Sequence, residues 1–127
     1  MARILVIEDN TANMKLACLL LHRAGHTTLC ASDAENGLTL ARSDQPDLIL
    51  MDVQLPGMDG LAATGLLKQD QATAGIPVIA LTAMAMKEDQ AKSSAAGCAA
   101  YITKPLRYQK LYETIDALLS QRQLRAQ

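Results

Sequence analysis

The sequence predicts an α/β fold: a five-stranded parallel sheet, doubly wound by helices on both faces, in one domain. Three patterns carry that expectation. Short apolar runs alternate with longer helix-like segments, five times over. The runs Ile4-Leu5-Val6-Ile7, Leu48-Ile49-Leu50-Met51 and Val78-Ile79-Ala80-Leu81 are apolar at every position, as central strands covered on both faces must be. Each run ends on a polar residue, which suits a sheet whose ligands sit outside the carboxyl ends of its strands.

The elements follow in order. Arg3 to Ile7 is the first strand. Asn10 or Thr11 can cap a helix through Met14, Ala17, Leu20 and Leu21, which Gly25 stops. His26 to Ala31 reads as a weaker strand near an edge. Ser32 or Asp33 caps a second helix through Ala34, Leu38, Leu40 and Ala41, and Pro46 closes that segment. Asp47 to Met51 is the third strand, followed by a loop from Gln54 to Gly60 rich in Pro and Gly. The third helix carries Leu61, Leu66 and Leu67, weakened by Gly65. Gly75 and Pro77 precede the fourth strand, and an Ala-rich helix over 87–96 ends at Gly97. Ala100-Tyr101-Ile102-Thr103 is the fifth strand. In the last helix Leu111, Ile115, Leu118 and Leu119 form one stripe. The core spans about 3–119, and 120–127 is expected to be a fraying polar tail.

Composition narrows the function classes. The chain has 127 residues, enough for one domain with a stable core and no staples. Phe and Trp are absent, so the core must be aliphatic. Net charge is −1, and the only basic residues near the tail are the scattered Arg122 and Arg125, which argues against nucleic-acid binding. The three cysteines, Cys18, Cys30 and Cys98, show no metal-binding spacing and read as buried small hydrophobes in a reducing compartment. The chain opens straight into a strand with no signal segment, and no apolar run approaches the about 20 residues needed to span a bilayer. A soluble cytoplasmic protein is therefore expected, with no membrane contact.

The strand ends carry the chemistry. Glu8 and Asp9 follow the first strand, Asp52 the third, Thr82 the fourth and Lys104 the fifth. One sheet edge would then gather three carboxylates, one hydroxyl and one ammonium. That set suits a hard cation and a phosphoryl group. Three carboxylates about 5 Å apart repel by roughly 3 kcal/mol per pair at an effective dielectric near 20, so a bound Mg²⁺ is the expected neutraliser. A carboxylate can also act as a covalent nucleophile in phosphoryl transfer. Asp52 is expected to be the only carboxylate facing Lys104.

Taken together, Glu8-Asp9, Asp52, Thr82 and Lys104-Pro105, with the stretches "PDLILMDVQLPGMDG" and "AYITKPL", resemble the receiver domains of bacterial response regulators. The resemblance runs from about Arg3 to Leu119 and implies a flavodoxin-like, CheY-like fold. "VIEDN", "NMKL", "MDVQLP" and "ALTAMAMKED" are most similar to single-domain regulators of the DivK type, and receivers cut from hybrid histidine kinases look similar. The resemblance implies that Asp52 accepts the phosphoryl group, and that Asp9, Asp52 and the Gln54 carbonyl ligate Mg²⁺ with Glu8 acting through a water. It further implies that Lys104, before a cis proline, meets a phosphoryl oxygen. Thr82 would swing inward on phosphorylation with Tyr101 following. Ala83 leaves the pocket open, and Gln54 and Met84 would set a moderate or slow self-dephosphorylation.

The implied donor is a phosphohistidine on a histidine kinase or histidine phosphotransferase. With nothing left over for an output domain, the implied output is contact with a downstream protein by a monomer. The face made by the fourth helix, fifth strand and last helix would include some of Met86, Asp89, Lys92, Tyr101, Arg107 and Tyr108. A haloacid-dehalogenase-type phosphatase needs a second Asp two residues after the nucleophile, where this chain has Gln54, which cannot titrate. A flavin or nucleotide binder needs a phosphate-cradling first loop rather than Glu8-Asp9. A receiver that signals without phosphorylation has no need of the full residue set.

Overall fold

The structure is a computed structural model and describes residues 2–83 and 87–126. Its elements are β1 (Arg3–Ile7), α1 (Thr11–Arg23), β2 (Thr27–Ala31), α2 (Ala34–Asp44), β3 (Leu48–Asp52), α3 (Gly60–Gln69), β4 (Val78–Thr82), α4 (Lys87–Ala96), β5 (Ala100–Thr103) and α5 (Tyr108–Ala126). The strands form one parallel sheet in the order β2-β1-β3-β4-β5. Chain order therefore reverses between β1 and β3, where an open α/β sheet has its crevice.

Alternation along each strand divides the core into two layers. Ile4, Val6, Leu48, Leu50, Ile79 and Leu81 pack with Ala17 and Leu21 of α1 and Leu111 and Ile115 of α5. Leu5, Ile7, Ile49, Met51 and Val78 pack with Ala34 and Ala41 of α2 and Ala63 and Leu67 of α3. Every residue of β3 and β4 is buried, whereas β2, at the sheet edge, is only partly covered. Asn10, Asp33 and Asp59 cap α1, α2 and α3, each side chain accepting a backbone N–H three residues on.

Several expectations need correction. The second strand starts at Thr27, because the His26 N–H is taken by the Leu21 carbonyl at 3.0 Å and its Nδ1 accepts from Ala2 N–H. As expected, α2 closes before Pro46: it ends at Asp44, and Gln45 adopts the left-handed conformation with φ 48° and donates its N–H to the Ala41 carbonyl. β3 runs one residue later than expected and includes Asp52, which stands in register with Leu81. On α3 the buried face is Gly60, Ala63, Thr64 and Leu67, while Leu66 faces solvent at 44% exposure. The helix α5 runs to Ala126, past the expected core boundary at Leu119. The cysteines are not all buried: Cys30 is exposed, and Cys18 and Cys98 are half-buried. Met84 and Met86 lie outside the described residues, as do the side chains of Asp89, Arg122 and Arg125.

Candidate functional site

The carboxyl edge of the sheet brings the sequence-selected residues together. Glu8 follows β1 directly, its backbone N–H donates to the Ala31 carbonyl at 3.0 Å, and its side chain is buried beside Lys104. Asp52 is the last residue of β3, 2% exposed. Lys104 follows β5, and its N–H bonds the Thr82 carbonyl at 2.7 Å. The Lys104–Pro105 bond is cis, as expected.

Lys104 Nζ lies 3.1 Å from Glu8 Oε1 and 3.1 Å from Asp52 Oδ2. Asp52 is thus not the sole carboxylate facing the lysine; the ammonium is forked between two. The other Asp52 oxygen, Oδ1, accepts the Gln54 backbone N–H at 3.0 Å. That bond folds the start of the β3–α3 loop over the carboxylate and leaves the Gln54 side chain exposed. Asp9 is exposed at the mouth, and one oxygen each from Glu8, Asp9 and Asp52 lie within 4.8 Å of one another.

Gly60, which the Pro/Gly-rich pattern places in the loop after β3, is a site residue. Its N–H bonds the Val53 carbonyl at 2.9 Å, and an added Cβ would collide with the Asp52 backbone carbonyl. The close approach of α3 to the end of β3 therefore requires glycine. The signal available in the sequence was a Gly at the first helical position straight after the Asp59 cap.

Burial sets the electrostatics. Glu8 is 3% exposed, and desolvation first, then the neighbouring Asp52, pushes its carboxyl up to about 7 despite the opposing Lys104. Burial pulls the Lys104 ammonium down, but its hydrogen bonds to Glu8 and Asp52 outweigh that and leave it above the ordinary lysine value. Glu8 Oε2 accepts the Asn10 N–H at 3.3 Å, whereas among the described residues the buried Oε1 has no partner beyond the Lys104 ammonium at 3.1 Å. A buried, under-satisfied carboxylate beside two more fits a hard divalent cation: the donors are all oxygens, and the exposed Asp9 leaves room for retained waters.

Thr82 ends β4, buried at 4% exposure and in register with Thr103. Tyr101 is half-buried on β5, opposite Ala80. Both lie on the Lys104 side of Asp52, in the order β3-β4-β5. Among the described residues no helix is long and apolar enough to cross a membrane.

An acidic cluster, a buried strand-end aspartate and a strand-end lysine at the crevice of a doubly wound sheet define the receiver class of signalling domain. Residues 4–116 match the response regulator receiver domain family. The chain belongs to that family: it is the receiver domain of a two-component response regulator. It is 45% identical over 116 residues to the polar-differentiation response regulator DivK of Brucella ovis, covering 91% of this chain and 94% of that protein. Among solved structures, a CheY-like receiver domain protein from Methanospirillum hungatei superposes with TM-score 0.90 at 29% identity, over 98% of both chains. The receiver domain of the sensor histidine kinase PA1611 from Pseudomonas aeruginosa, described with a magnesium ion in its active-site cleft, superposes with TM-score 0.87 at 29% identity. That match covers 94% of this chain and 98% of the other.

Proposed function

We propose that Asp52 is phosphorylated from a phosphohistidine on a histidine kinase or histidine phosphotransferase, in an Mg²⁺-dependent reaction, and that the phosphorylated domain signals by contact with a protein partner. The observation that carries this reading is the Lys104 ammonium shared at 3.1 Å between Glu8 and Asp52, with Asp9 completing the acidic cluster.

An Asp52 carboxylate oxygen attacks phosphorus, the P–N bond breaks, and the imidazole leaves carrying the electron pair of that bond. The product is an acyl phosphate. Asp9, Asp52 and the Gln54 carbonyl would hold the cation, with Glu8 acting through a water. When bound there, Mg²⁺ would supply positive charge against the carboxylates and the transferring phosphoryl group. Lys104 then exchanges the Asp52 carboxylate for a phosphoryl oxygen while keeping Glu8 as its anchor. Glu8 is thus a positioning residue for the lysine. The Thr82 hydroxyl, one strand over, donates to another phosphoryl oxygen, and Tyr101 turns inward behind it. The exposed Gln54 offers no carboxylate to activate water, which suits a phosphoryl group of moderate or long lifetime.

An apolar cleft lined by Leu16, Ala17, Leu81 and Leu106 opens beside Lys104 and Pro105. Leu16 and Leu19 of α1 are exposed at 39% and 50%. This apolar rim favours a protein donor docking against the site. The reading is completed by a cytoplasmic, monomeric domain that acts on no small molecule for turnover and binds neither nucleic acid nor membrane.

The test is acetyl phosphate or a phosphorylated kinase with Mg²⁺, read by intact mass. One phosphoryl group should be added to the wild type and none to Asp52→Asn. Undiminished labelling of Asp52→Asn, or a rate unchanged by chelator, would falsify the assignment. Thr82→Ala should still be phosphorylated but lose most of the phosphorylation-dependent gain in partner affinity, a coupling of about 1–3 kcal/mol.

A further inference from the structure

We propose that Cys18 and Cys30 are a thiol–disulfide exchange site, which a low-molecular-weight disulfide such as oxidised glutathione converts into an intramolecular disulfide tying α1 to β2. The two sulfurs lie 3.4 Å apart, although the residues come from a helix and a strand. On α1, Cys18 and His22 are four apart and share one face. On β2, Thr28 and Cys30 are two apart and share the other side of that contact. The resulting rungs are His22 Nε2 to Thr28 Oγ1 at 3.0 Å and Cys18 Sγ to Cys30 Sγ at 3.4 Å. Closing to a bonded S–S length of about 2.0 Å needs an approach of about 1.4 Å.

Access also favours reaction. β2 is an edge strand and Cys30 is exposed, while Cys18 is half-buried behind it. Cys30 reacts first because it is the exposed thiol, and burial, then the shared hydrogen bond with Cys30, pushes the Cys18 thiol up. It gives its proton to water and attacks one sulfur of glutathione disulfide. That S–S bond breaks, one glutathione thiolate leaves, and a mixed disulfide remains on Cys30. Cys18 then loses its proton and attacks the Cys30 sulfur, expelling the second glutathione. Two protein thiols are oxidised and one glutathione disulfide is reduced to two thiols. In a reducing compartment the same exchange runs backwards, which makes the bond reversible.

The full chain is incubated with oxidised glutathione, quenched in acid, and read by intact mass and peptide mapping after alkylation. Wild type should lose two hydrogens and yield a single Cys18–Cys30 linkage, with Cys98 alkylated as a free thiol and dithiothreitol reversing the change. Cys18→Ser should instead accumulate the mixed disulfide on Cys30. A wild-type chain that stops at the mixed disulfide, links Cys98, or joins to a second chain overturns the proposal. The wild-type measurement decides it even if a variant fails to fold.

Discussion

Lys104 at the carboxyl edge of the sheet and Arg42 on the outer surface of α2 each hold an aspartate at nearly the same distance. The separations are 3.1 Å to Asp52 and 2.9 Å to Asp70. Their surroundings differ. The Lys104 side chain is 22% exposed and its two carboxylate partners 2–3%, whereas Arg42 and Asp70 are 67% and 30% exposed. In the crevice, desolvation is strong enough to move Glu8 to about 7. On the surface, Asp70 is held below the usual carboxylate range by the Ala72 backbone N–H and then by Arg42. Distance therefore says little about what an ion pair does. Burial decides whether charge is stored for chemistry or merely solvated.

The largest break in this comparison comes from removing the shared cation. Lys104→Met leaves two buried carboxylates without their counter-charge. In metal-free buffer above neutral pH it should lower unfolding stability by roughly 3–5 kcal/mol. Millimolar Mg²⁺ should restore much of that loss. Urea denaturation with and without chelator measures both effects, and a variant as stable as wild type in chelator would show that the ammonium does not hold the crevice together.

The pH dependence should come next in size. Glu8 is raised from 4.5 unfolded to about 7 folded, so between those values the folded state binds more protons than the unfolded one. Stability contributed by this group is then full below about 4.5 and is lost as pH rises to 7. The loss amounts to at most about 3 kcal/mol in the absence of divalent cation. Glu8→Gln should flatten the profile and leave the metal-free protein more stable than wild type at pH values above that window. A wild-type slope that survives Glu8→Gln unchanged would assign the titration elsewhere. The smallest effect belongs to the surface pair. Arg42→Ala should shift the urea midpoint little, and any shift should shrink further as salt is added.

Much of this was legible in the sequence because strand ends are local. Glu8, Asp9, Asp52, Thr82 and Lys104 each terminate or follow an apolar run that ends in its own neighbourhood, so the parallel order of strands suffices to put them on one edge. On α3 the buried face is made of Ala63, Thr64 and Leu67 while Leu66 is exposed, so large apolar side chains alone do not locate that face. Cys30 is exposed because β2 is an edge strand, only partly covered, whereas its residue type alone reads as a buried small hydrophobe.

By itself, then, the sequence determined the alternation of elements, the two-faced burial of β1, β3 and β4, and the identity of the polar residues at their carboxyl ends. These depend on periodicity and on neighbours along the chain. Only the tertiary structure decided that Lys104 is forked between Glu8 and Asp52, that Gly60 must lie against the Asp52 carbonyl, and that Cys18 meets Cys30. The first of these contacts joins elements separated by whole crossovers, and the other two join elements consecutive along the chain. Their distances are set by how helices and strands settle against a shared core, and local sequence does not encode that settlement.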